Sequence, residues 1–160
     1  MKIQKIGQYH QDLYWLVRFT GMRVAKAAGI ELNGINLDTM IIDLVDHSDS
    51  PLKTKVYRRQ VPIHPKLVSL LKRLKAAGVR PFLCFYKPQH SRWTCGNNWR
   101  RIAGSNAHSL RHHAATSMKD VGFSDFIIGS ALGHFKGSTM TSTYGSVDLE
   151  KVRAAIEAIS

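Results

Sequence analysis

The segment HSLRHHAATSMKD, His108–Asp120, decides how this chain is read. At about 100° per residue, Leu110, Ala114, Ser117 and Val121 fall on one side of a helix and His108, Arg111, His112 and Ala115 on the other. The first set is expected to be a core stripe. The second places an imidazole and a guanidinium about one turn apart, a spacing at which both can reach one small anion. Two other readings compete. His108 and His112 stand at i and i+4, the separation that lets two imidazoles share a zinc ion. A third ligand is missing, however: Ser109 occupies the place where an HExxH pattern needs glutamate, and no carboxylate lies within ten residues upstream. The remaining reading, an ordinary polar helix face, stays open for this segment taken alone.

Working outward, charge narrows the choice. The 160 residues are 44% hydrophobic, enough for one domain with its own core and short for two. Twenty-three Lys and Arg against eleven Asp and Glu give a net charge of +12, which favours a polyanionic partner. The distribution is more telling. No acidic residue occurs from Ser50 to Lys119, while fifteen lysines and arginines do. The opening residues, MKIQKIGQYHQDLYWLVRF, have their apolar part cut by Asp12 and Arg18, so they read as neither signal peptide nor membrane span. Cys84 and Cys95 are the two cysteines, in no CxxC pair, and fit a reducing, cytoplasmic setting.

Periodicity predicts a mainly α chain with a small antiparallel β-sheet, an α+β fold. Gln8 to Phe19 reads as a helix, broken by Thr20 and Gly21 before MRVAKAAG resumes as a second one. TMIIDLV and KTKVYRRQVPI read as the two strands of a hairpin, the second strongly basic, around the turn residues DHSDSP. A helix with Leu67, Leu70, Leu71 and Leu74 on one face follows, with Gly78 as its stop. VRPFLCFYKPQHSRWTCGNNW reads largely as loop. Further helices are expected near Asn98–Ile102, His108–Asp120, Asp125–Leu132 and Asp148–Ile159.

Arg111 gains meaning from its flanks: TGMR at Thr20–Arg23 upstream and LGH, Leu132–His134, followed by TSTYG ending at Gly145 downstream. With KTKVYRRQVPI between them, these boxes resemble, in order, those of the tyrosine recombinases, the phage-integrase family. The resemblance spans Thr20 to Tyr144, most of the chain. It implies the tyrosine-recombinase catalytic fold, with Arg23 and Arg111 on the scissile phosphate, Lys53 as the hairpin lysine, His108 and His134 at the two histidine positions and Tyr144 as nucleophile. Lys55, two residues from Lys53 on the same strand face, is the competing lysine. Tyr9, Tyr14, Tyr57 and Tyr86 lack the nucleophile context. The sequence departs from the family pattern at Lys26, where an acidic residue is usual, and by one extra residue between His134 and Tyr144.

The chemistry asks for these residue types independently. Two forked guanidinium groups can clamp the charge that develops on phosphoryl oxygens, without a metal. A phenol with an ordinary pKa near 10 needs nearby cations or a histidine base to act as nucleophile. A lysine can protonate the departing 5′ oxygen. The expected activity is therefore site-specific recombination or integration through a 3′-phosphotyrosyl intermediate, requiring neither ATP nor a divalent ion. Alternatives are a catalytically silent DNA-binding module and a type IB-like relaxing topoisomerase. Double-stranded DNA is the expected partner, with Lys55, Arg58, Arg59, Arg92, Arg100, Arg101 and Lys136 as contacts. Residues 1–160 are expected to form a single catalytic domain, with the family's N-terminal DNA-clamping domain absent. The amphipathic tail is expected either to pack on its own domain or to dock on a neighbour in a tetramer on DNA.

Overall fold

The computed structural model describes residues 8–44, 59–78, 107–134 and 148–160. Within them the chain is mostly helical with one small antiparallel sheet, the α+β arrangement expected. Helix α1 (Gln8–Thr20) buries Leu13, Leu16 and Val17 and ends where expected. The Thr20 hydroxyl donates back to the Leu16 carbonyl at 2.6 Å, and Gly21 takes a left-handed turn at φ 61°. A side chain at Gly21 would meet Leu132 and Ala114, so glycine serves both the turn and the close approach of neighbouring helices. The chain then enters α2 (Val24–Ala28) with Arg23 at its N-cap position in extended conformation.

Strands β1 (Ile35–Asn36), β2 (Ile41–Leu44) and β3 (Arg59–Pro62) lie in the order β1-β2-β3, all antiparallel. Ile42 pairs with Val61 and Leu44 with Arg59. The hairpin reading of β2 and β3 holds; β1 was not foreseen, because two residues carry no detectable period. The hairpin tip lies outside the described residues, as do the expected loop over residues 79–99 and the helix near Asn98–Ile102. Beyond β3, His64 caps a short 3₁₀ turn (Pro65–Leu67) by accepting from the Lys66 N–H. Helix α3 (Val68–Ala77) follows, burying Leu70, Leu71 and Leu74 and ending at left-handed Gly78.

Helix α4 (Ala107–Asp120) packs on α1, and α5 (Asp125–Leu132) on α4. The core stripe of α4 corrects the sequence reading. Leu110, Ala114 and Ser117 are buried as expected, but Val121 is 65% exposed, and Met118 and Arg111 are buried instead. The helix stops at Asp120 and turns through Gly122, so Val121 lies beyond its end, and the buried stripe is centred nearer to Arg111. Helix α6 (Leu149–Glu157), capped by Asp148, buries Val152, Ala155 and Ile156 against α5 and β3 of its own chain. Arg153 ties it to the turn before β2 through the Thr39 carbonyl at 3.2 Å. Among the described residues no helix is long and apolar enough to cross a membrane.

Candidate active site

Arg111 organises the site from the buried face of α4, where it is 4% exposed. Its Nη1 donates to the Gly21 carbonyl at 2.6 Å, and its Nε donates to His134 Nε2 at 3.2 Å. The left-handed turn at Gly21 thus aims a carbonyl at the guanidinium, and the left-handed turn at Gly133 (φ 68°), closing α5, delivers the histidine. Since His134 Nε2 accepts, its ring proton belongs on Nδ1 and the ring is neutral. The third arm, Arg111 Nη2, is buried with no hydrogen-bond partner among the described residues. A buried charged donor without an acceptor is costly, and an anionic oxygen is the acceptor that suits it best.

Two more guanidinium groups press on Arg111. Arg23, exposed at the start of α2, and Arg59, half-buried at the start of β3, both act on the site electrostatically. Burial lowers Arg111 from its ordinary value to about 10, helped by repulsion from Arg23. Arg59 is likewise lowered to about 10, by burial first and then by Arg111 and Arg23. His134 is pushed below 6.5 by desolvation and then by Arg111, Arg23, Arg59 and His108, so the cations reinforce its neutral state. No carboxylate among the described residues forms an ion pair with Arg59 or Arg111. A cluster of this kind has the charge, the donors and the unpartnered arm to bind a tetrahedral anion.

The structure therefore brings together Arg23, His108 and Arg111 of α4, and His134, four residues from three separate segments of the chain. His108 is exposed at the N-terminal end of α4 and meets His112 edge to face, with ring centroids 4.5 Å apart. Among the described residues no group of three or more His, Cys, Asp or Glu is arranged to hold a metal ion. Lys53, Tyr144, Lys55, Arg58, Arg92, Arg100, Arg101 and Lys136 lie outside the described residues.

Arg59, expected among the DNA contacts, sits against the end of α5 in the fold. Its guanidinium turns inward, where Nη2 donates to the Ala131 carbonyl near the end of α5. Strand register carried part of this signal: Arg59 is in phase with Val61 and Ile63, both fully buried, and its neighbour Gln60 is exposed, although Pro62 is buried as well. Gly21 as the acceptor for Arg111 was also missed, since no pattern in the sequence announces a backbone carbonyl.

In comparison with known proteins, the model of the phage integrase family matches residues 1–151, which include every site residue named above. No curated protein matches the chain.

Proposed function

Because the chain belongs to the phage integrase family, whose members break and rejoin DNA, we propose that it is a site-specific tyrosine recombinase acting on duplex DNA. The observation that carries the reading is the unpartnered Nη2 of Arg111, buried among cations and neutral acceptors with Arg23 and Arg59 close enough to repel it. In the proposed reaction the scissile phosphate is clamped by Arg23 and Arg111, which neutralise the charge building on its non-bridging oxygens. The Tyr144 oxygen attacks phosphorus, the bond to the 5′ oxygen breaks, and that oxygen takes a proton from Lys53 or from Lys55. The product is a 3′-phosphotyrosyl enzyme and a free 5′ hydroxyl; the reverse attack rejoins a strand.

His134 enters neutral, holding Arg111 by its Nε2 and presenting Nδ1–H on the other side of the ring. His108, an exposed side chain one turn ahead of Arg111, is suited to contact the same phosphate or to take the tyrosine proton. The hairpin and basic residues Arg58, Arg92, Arg100, Arg101 and Lys136 supply sequence-independent backbone contacts. Self-association into a tetramer on DNA belongs to the same proposal.

The test is incubation with a nicked suicide duplex, from which a short fragment diffuses away after cleavage and traps the covalent intermediate. Wild type should give a protein–DNA adduct stable to denaturant, and Tyr144→Phe should give none. An adduct that survives Tyr144→Phe refutes the nucleophile assignment. Salt-sensitive DNA binding without an adduct would favour the silent binding module.

A further inference from the structure

We propose that Arg59 is a positioning residue for His134: its guanidinium, seated on the Ala131 carbonyl and over Gly133, fixes the turn that sets the His134 ring against Arg111. The sheet, through β3, thereby determines the geometry of a group delivered by α5. In its rate prediction, this inference rests on the recombinase reading above.

The physical case begins with the strand. Val61 and Ile63 are fully buried and Arg59 lies in phase with them, and its side chain turns the same way, onto the Ala131 carbonyl. Its cross-strand partner is Leu44, a half-buried residue, in the last pairing of β2 with β3. From there it reaches the C-terminal end of α5, where backbone carbonyls lack intrahelical partners and the helix dipole favours a cation. Nη2 takes the Ala131 carbonyl. A Cβ built on Gly133 would fall on Nη1 of the same guanidinium, so the group lies directly over the Gly133 Cα. Gly133 must be glycine twice over, for its φ of 68° and for the space that Arg59 fills.

The turn so covered is the one that carries His134. The His134 backbone N–H donates to the Gly129 carbonyl at 2.8 Å and the Gly133 N–H to Ser130 at 3.2 Å, which closes the helix end. The His134 side chain itself is exposed, so its own packing does little to hold it against Arg111 Nε. A guanidinium with Nε buried and unpartnered, next to two other arginines, is an unfavourable choice for a purely structural cap. Glutamine would carry no such repulsion, but its amide nitrogen ends two bonds short of the Nη2 that takes the Ala131 carbonyl. Arginine makes sense where the turn must be held from above by a rigid planar fork and where added positive charge serves a bound phosphate.

The experiment uses the full chain with Arg59→Gln, Arg59→Lys, His134→Ala and the double variant Arg59→Gln/His134→Ala, each first shown to unfold cooperatively. In single-turnover cleavage of the suicide duplex, Arg59→Gln should slow adduct formation by roughly 10²-fold, as expected for a displaced catalytic group. In the His134→Ala background the same substitution should cost less than about three-fold, because the group it positions is gone. An undiminished loss in that background would overturn the proposal by making Arg59 an independent phosphate contact. So would full rescue by Arg59→Lys, which keeps the charge but not the fork over Gly133.

A second readout needs no activity. In Arg59→Lys the charge is retained, so a rise of the His134 ring titration toward its ordinary value, by about half a pH unit or more in NMR, reports a loosened turn. His113, on the flank of α4 near Ser160, serves as the unchanged control. A His134 titration identical to wild type overturns the proposal. If wild type forms no adduct, the recombinase reading fails while the NMR result still decides the role of Arg59.

Discussion

Replacing Arg111 by methionine asks whether the site is maintained at the expense of the fold. Methionine matches the length of the arginine stem and removes the charge. In the fold Arg111 is lowered from its ordinary value to about 10, which at ~1.4 kcal/mol per unit disfavours the charged form by about 3 kcal/mol. The folded chain holds this proton less tightly than the unfolded chain does. The penalty is therefore complete at pH 7 and is relieved only as pH rises through about 10 toward the ordinary arginine value. Against it stands the Gly21 carbonyl, which would lose the 2.6 Å bond it accepts in a buried setting; an unmet carbonyl costs about 1–3 kcal/mol. The balance makes Arg111→Met neutral to about 2 kcal/mol more stable than wild type, a rise of up to roughly 4–8 °C in Tm. The assay is thermal unfolding at pH 7 in buffer free of sulfate and phosphate, repeated with sulfate. Wild type should be stabilised by sulfate, by about 2.7 kcal/mol at a hundred times its Kd, and the variant much less. A variant less stable than wild type by more than about 2 kcal/mol without anion, or equal stabilisation of both by sulfate, would refute the reasoning.

Three further outcomes are expected. Gly133→Ala should cost about 2–4 kcal/mol in urea unfolding, since its Cβ meets the Arg59 guanidinium, whereas Gly78→Ala at a similar φ of 62° with open space around it should cost only about 1 kcal/mol. Equal losses would mean that Arg59 yields freely. Arg73→Ala should cost about 1–3 kcal/mol and lower Tm measurably, because it strips the 2.5 Å partner from Asp12, a carboxylate 1% exposed that would keep only the Gln8 amide at 3.0 Å among the described residues; Lys119→Ala, at an exposed 3.9 Å pair, should change nothing measurable. His64 is buried, stacked on Phe19 and held below 6.5 by desolvation and by Lys66. Its neutral form favours the fold, so stability should be full above pH 6.5 and fall as pH drops below it. Urea midpoints from pH 7.5 to 5 should fall less steeply in His64→Asn, which keeps a cap acceptor without a titrating ring; an unchanged slope would assign the loss to other groups.

Much of this chain is legible without coordinates. The leucine face of α3, the TG break after α1 and the two hairpin strands follow from local periodicity and from glycine's access to positive φ, which act within a few residues. The boxes around Arg23, Arg111 and His134 are equally local, and so is the absence of acid between Ser50 and Lys119 that predicts an anionic partner. Local patterns also misled. Val121 continues the apolar stripe of α4 on a helical wheel yet stands exposed, because the helix ends one residue earlier.

What the sequence determined by itself is the chemistry available: the residue types, their order and the helices that carry them. Only the tertiary structure decided that Arg111 would be buried with one arm free, that the carbonyl of Gly21 would hold another arm, and that Arg59 would turn inward over Gly133. Those outcomes depend on how segments up to 90 residues apart approach one another. Packing between helices and sheet sets that approach, and a linear pattern carries periodicity but not the distance between its faces.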